Sequence, residues 1–182
     1  QYARVVNLEG LIVDVRHNTG GNIDSWVLNR LIRPVWMYWA GRAGEPYWNM
    51  QMAFRGHRAM LIDQWTMSDG EAVAEGFRRL ELGPLIGKRT WGGGIWLTSS
   101  NVLADGGLAA AAEFGVYSEE GEWLIEGSGV SPDIEVDNLP HATFGGADAQ
   151  LDAAIEHLLQ QMDEEPVTVP TPPAGKDLSF PK

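Results

Sequence analysis

Twice in this chain a short run of apolar and β-branched residues gives way, through a loop rich in small residues, to a pattern of helical period. Residues 8 to 16 read Leu-Glu-Gly-Leu-Ile-Val-Asp-Val-Arg and lead into His17-Asn18-Thr19-Gly20-Gly21-Asn22. Ala59-Met60-Leu61-Ile62 leads into Trp65-Thr66-Met67-Ser68-Asp69-Gly70-Glu71. The runs fit strands buried on both faces of a mostly parallel sheet. The first is followed by a stripe of Ile23, Trp26, Val27, Arg30, Leu31 and Ile32 that stops near Pro34, and the second by a helix from Asp69 to about Leu82 closed by Gly83. A third short strand falls within 83 to 90. Strand, helix, strand alternation needs long right-handed crossovers, so the expected fold is an α/β layered sheet.

With 182 residues, 44% of them apolar, the chain can bury a core as one domain. A net charge of -12, with 13 basic residues scattered among 25 acidic ones, argues against nucleic acid or an anionic membrane as partner. The absence of cysteine excludes disulfides and a thiolate nucleophile, and no apolar run is long enough for a membrane span. The four histidines form no spacing suited to a metal, so neither metal nor other cofactor is expected. Gly83 and Gly87 enclose three residues instead of four and Arg89 replaces the magnesium-binding hydroxyl, which rules out a phosphate-binding loop.

Three positions carry candidate chemistry. Ser68 stands at a strand-to-helix junction, where following amides lack intrahelical partners; it reads either as an N-cap completed by Glu71 or as an acyl-transfer nucleophile. The Asn18 to Gly21 loop reads either as an ordinary turn into a helix capped by Asn22 or Asp24, or as a set of uncovered amides facing a ligand. Glu126, in a glycine-rich bend, reads as an exposed turn carboxylate or as a group aimed into a site. Trp36, Trp39 and Trp48 are expected to be core and rim packing, with a peptide groove or subunit contact as the alternative. Extended stretches are expected at Ile95 to Val102 and Ala109 to Val116. Asp148 should cap a helix whose core stripe is Leu151, Ala154, Ile155, Leu158, Leu159 and Met162. Residues 163 to 182 hold five of the ten prolines and read as an acidic, disordered tail beyond a core at 1 to 162.

Four blocks in this order resemble the catalytic half of tricorn-type proteases, within the C-terminal-processing (tail-specific) serine peptidases: Asp14 to Asn22, Thr66 to Glu71, Leu85 to Gly93 and Glu126 to Asp133. The likeness runs over about positions 8 to 162. It implies a layered ClpP/crotonase-like sheet with flanking helices, within a larger chain. It implies that Ser68 is the nucleophile, that the amides of Gly21 and Asp69 form the oxyanion hole, and that Glu126 belongs to the charge relay. Thr19, Gly20 and Gly21 would hold the substrate backbone. Implied partners are peptide substrates and further copies of the same chain, in the cytoplasm.

Two departures shape the expectation. Gly93 stands where the bacterial tail-processing branch has its lysine base, and Lys88 comes too early. In the tricorn branch the base is a histidine, preceded by a relay serine, in a segment N-terminal to the strand at Leu11 that is not found here. His17 is the one internal stand-in, and solvent exposure is its simpler reading. The chain by itself is therefore expected to be nearly inactive while carrying most of the site. The competing readings are an inactive peptide-binding or assembly module and a crotonase-like acyl-thioester enzyme.

Overall fold

A computed structural model describes residues 2–97 and 101–175. The elements in chain order are α1 (Tyr2–Val5), β1 (Gly10–Asp14), α2 (Asp24–Leu31), β2 (Tyr38–Trp39), β3 (Tyr47–Trp48), β4 (His57–Ile62), α3 (Asp69–Arg79), β5 (Leu85–Gly87), β6 (Ile95–Leu97), β7 (Ala112–Gly115), β8 (Ile134–Glu135), α4 (Pro140–Phe144) and α5 (Ala149–Glu164). Strands β1, β4, β5 and β8 form one sheet in the order β1-β4-β5-β8, and every pairing is parallel.

β4 organises the layers. Successive strand residues point to opposite faces, and Ala59 to Ile62 are fully buried on both. Met60 and Ile62 pack with Val73, Ala74 and Phe77 of α3 and with Leu31 of α2. Ala59 and Leu61 pack with Ile86 of β5 and with Ala154 and Leu158 of α5. The result is a sheet between two helical layers, and the ends of β1 and β4 open at one edge of it.

β1 lies at the sheet edge and is only half-buried, instead of being enclosed on both faces. Trp26 is exposed, although it shares the stripe with Leu31, because α2 packs on α3 through the Leu28 and Leu31 side. α3 ends earlier than the sequence indicates: Leu80 is the C-cap and Glu81 takes the left-handed conformation at φ 53°. Gly83 serves a different purpose, since a Cβ there would sit 2.1 Å from the Arg58 carbonyl oxygen on β4. Trp36, Trp39 and Tyr47 are exposed, not core: β2 and β3 form a separate two-stranded ribbon with Trp39 stacked on Tyr47 at 6.3 Å. β6 and β7 also pair with each other, antiparallel, and do not join the main sheet. Part of the stretch expected to be extended, 98–100, lies outside the described residues. In α5, Ala154 and Leu158 pack on the sheet, while Ile155 and Leu159 stay exposed.

Asp148 caps α5 as expected, accepting the Leu151 amide at 3.0 Å. Its two oxygens also accept from Arg16 at 2.8 and 2.9 Å, joining the loop after β1 to α5. The Arg16 hydrogen bonds hold the Asp148 carboxyl well below the usual carboxylate range, although partial burial opposes them. A depressed carboxyl contributes stability above its unfolded value and loses it as pH falls through the folded one. Asp148→Ala is expected to lower stability by about 1–2 kcal/mol near neutral pH. In urea titrations at several pH values, that difference should shrink below about pH 4.

Candidate active site

Past Ile62 the chain turns through Asp63 to Met67 before α3 begins. Asp63 is almost fully buried, and its Oδ1 accepts the amides of His17 at 3.1 Å and Trp65 at 3.0 Å. It thereby ties the loop after β1 to the loop after β4. The Met67 amide donates to the Asn18 carbonyl at 2.8 Å, and Asn18 Oδ1 accepts the Gly20 amide at 2.9 Å. Two loops that are far apart in sequence are thus joined side by side at the carboxyl ends of adjacent parallel strands, where open α/β sheets place their ligands.

Ser68 sits at the tip of this junction with φ 52° and ψ -124°, a backbone conformation costly for a residue with a Cβ. Gly20 (φ 102°) passes directly against it: a Cβ on Gly20 would be 2.6 Å from Ser68 Cβ, 3.0 Å from Ser68 Oγ and 3.3 Å from the Asp69 nitrogen. A side chain at position 20 would fill the space in front of the hydroxyl. Gly21 (φ 132°) faces open space. Among the described residues, neither the Gly21 amide nor the Asp69 amide donates a hydrogen bond. Two unpaired N–H groups therefore flank the contact between Gly20 and Ser68 in sequence, that of Asp69 at the N-terminus of α3 and that of Gly21 next to Gly20.

The acidic side chains around Ser68 support this backbone geometry. Asp69 turns its buried carboxylate to α2, where Oδ2 accepts the amides of Ile23 and, at 3.0 Å, Asp24. α2 is consequently capped from across the fold, by neither Asn22 nor Asp24. Glu71 is fully buried. Its Oε2 accepts the Ser68 amide at 3.0 Å and the Gly93 amide at 2.9 Å, while Oε1 accepts the Gly92 amide at 2.7 Å and the Thr90 hydroxyl at 2.5 Å. Thr90 Oγ1 in turn accepts the Val130 amide at 2.7 Å. From the sequence, Glu71 reads only as half of a capping box. Its wider role had one signal, the Leu85 to Gly93 block in the same ordered series.

Glu126 follows Ile125, which has φ 70°, and accepts the Gly94 amide at 2.8 Å. The Glu126 carboxylate is exposed and makes no hydrogen bond to Ser68. It borders the 92–94 loop that Glu71 anchors, so the structure brings together Ser68, Gly20, Gly21 and Asp69 and leaves Glu126 one loop away. Thr19 is exposed beside Gly20. His17 points away from the junction, with Nε2 3.2 Å from Asp63 Oδ2 and most of its ring in solvent. His57 Nε2 lies 2.8 Å from the Glu165 carbonyl oxygen. Among the described residues no histidine or lysine bonds to Ser68, no group of acidic and histidine side chains could hold a metal ion, and no helix is long and apolar enough to cross a membrane.

The sequence pattern of peptidase family S41 matches residues 1–136. The chain belongs to peptidase family S41. Within it, this S41 chain is 36% identical over 162 residues to "Tricorn protease homolog 1" of Streptomyces coelicolor, covering 89% of the chain and 15% of that protein. It is 35% identical over 156 residues to "Tricorn protease" of Thermoplasma acidophilum, covering 85% and 14%. The crystal structure of the tricorn protease superposes with a TM-score of 0.79 at 34% identity, over 85% of this chain and 15% of that one. A crystal structure from Parabacteroides merdae, 22% identical with a TM-score of 0.62 over 90% of this chain and 56% of that one, shares the fold. The S41 chain spans less than a fifth of the length of the tricorn relatives it matches.

Proposed function

We propose that the chain is the peptide-cleaving core of a tricorn-type serine endopeptidase. The observation that carries this reading is the Ser68 hydroxyl set against Gly20, with the unpaired amides of Gly21 and Asp69 flanking that contact in sequence. Ser68 Oγ attacks the scissile carbonyl carbon and gives its proton to a base; the carbonyl oxygen becomes an anion facing the Gly21 and Asp69 amides. Each such donor is worth about 3–4 kcal/mol at the upper end. Collapse expels the amine and leaves an acyl ester on Ser68, which water then hydrolyses.

No hydrogen bond from a histidine or lysine among the described residues reaches Ser68; the likeness to the tricorn branch implies that a histidine from a segment not found among them takes the Ser68 proton. Glu126 orients that histidine from the end of the 92–94 loop. The exposed Thr19 to Gly21 strip pairs with the substrate backbone. The core needs no cofactor, and the whole protein works on peptides as an assembly of identical chains in the cytoplasm.

A fluorophosphonate tests the reading, because it forms a stable bond only with a serine that is activated. Incubated with the full-length protein and mapped by mass spectrometry, the probe should appear on Ser68 and disappear in Ser68→Ala. Equal labelling of the variant overturns the assignment.

A further inference from the structure

At the opposite end of β4 from Ser68, about 20 Å away along the strand, the segment after α2, the β2–β3 ribbon and the segment after α5 border an open cavity of about 520 Å³. Its size is that of a ligand pocket. Arg33, Arg55, His57 and Arg58 all line it. In a chain with almost twice as many acidic as basic residues, a gathering of three arginines beside a histidine is unusual. Among the described residues none of the four forms an ion pair with a carboxylate.

Their hydrogen bonding is incomplete as well. Arg58 donates to the Phe54 carbonyl at 2.6 Å, but its Nε is buried without a partner. Arg55 lies over the Trp48 ring, 4.1 Å from its centre, and its Nε is also buried without a partner. Arg33 reaches only main-chain oxygens, those of Asn29 at 3.1 Å and Gln51 at 3.3 Å. Half-buried guanidinium groups that share a cavity without a counter-charge repel one another and lose hydration. Burial accordingly pushes the Arg58 pKa down. The group that satisfies planar, forked donors of this kind is a carboxylate, taken in pairs of parallel hydrogen bonds.

The rim of the cavity shows what form that carboxylate takes. Residues 165–168, just past the end of α5, line it, with the Glu165 carbonyl against His57 and the Thr168 carbonyl accepting from Arg55 at 3.2 Å. The cavity wall therefore already engages polypeptide backbone, while the Glu165 side chain is exposed and forms no ion pair among the described residues. An arginine stacked on tryptophan beside exposed aromatics is also the composition of a protein contact surface. We infer that this cavity receives an acidic segment of a partner polypeptide, whose carboxylates enter between Arg33, Arg55 and Arg58.

Calorimetric titration of the full chain at low ionic strength tests it with three probes: acetyl-Glu-Glu-Glu-amide, acetyl-Gln-Gln-Gln-amide and inorganic phosphate. The glutamate peptide should bind at least about tenfold more tightly than either of the others, and Arg55→Gln should weaken it about tenfold. Equal affinity for the two peptides, or no heat from the glutamate peptide, overturns the inference. Phosphate binding as tight as the glutamate peptide also overturns it, since the cavity would then be a site for free oxyanions. If Arg55→Gln fails to fold, salt decides. Raising it from about 50 to about 300 mM should weaken the glutamate peptide several-fold, and an unchanged affinity counts against the inference.

Discussion

Replacing Ser68 with alanine is expected to lower kcat on peptide substrates by about four orders of magnitude or more, with little change in KM. The size of the loss follows from the chemistry. On the proposed reading no acyl ester can form without Oγ, and only the Gly21 and Asp69 amides would remain to polarise the carbonyl for direct attack by water. On the same reading KM should hold, because the strip at Thr19 to Gly21 that would bind the peptide backbone is left untouched by alanine. The fold should also survive, since alanine accepts the same backbone angles as serine and loses only the Ser68 half of the capping box, while Glu71 still accepts the amide of residue 68. Steady-state kinetics of the full-length protein check the prediction. A variant retaining a tenth or more of wild-type kcat would place the reaction elsewhere.

Glu71→Gln carries the second large effect, and it separates positioning from chemistry. The carboxylate accepts four donors in a fully buried site: the amides of Ser68, Gly92 and Gly93 and the Thr90 hydroxyl. A glutamine of the same shape offers one oxygen and an NH₂ group, which meets amide N–H groups as donor against donor. Buried donors left unpaired cost about 1–3 kcal/mol each. Glu71→Gln is expected to destabilise the protein by about 2–4 kcal/mol and to lower kcat at least about tenfold at temperatures where it is still folded. The catalytic loss arises because the Ser68 amide and the 92–94 loop both lose their anchor. Denaturant titration and kinetics on the same preparation measure both quantities. Full kcat in a destabilised variant would make Glu71 a purely structural residue.

The strands and helices were legible wherever one residue pattern served one purpose. The apolar run at Ala59 to Ile62 reads as a doubly buried strand and is one. Asp148 reads as a cap and accepts the Leu151 amide. The Ser68 junction was recognisable because a strand ends and a helix begins within a few residues. What stayed hidden depends on partners distant in sequence. Nothing near Asp69 indicates that its carboxylate caps α2, and nothing near Glu71 points to Thr90, Gly92 and Gly93. Trp36 and Trp39 were misread because size and hydrophobicity favour burial in general, whereas here they stay exposed, Trp39 on a small two-stranded ribbon whose Trp48 is half-buried. Gly83 was assigned to the end of α3 from its position alone. The carbonyl of Arg58, which excludes a side chain there, belongs to a neighbouring strand that local sequence does not reveal.

The backbone at Ser68 also bears on how this chain balances durability against use. Its angles, φ 52° and ψ -124°, suit glycine far better than any residue with a side chain. Glycine at that position should therefore resist heat better than alanine does, by about 1 kcal/mol after allowing for its looser unfolded chain. Thermal melts of Ser68→Gly and Ser68→Ala side by side measure the difference. A serine kept at a site where the inert substitute is the sturdier one means that the molecule gives up some robustness to hold an oxygen atom in place.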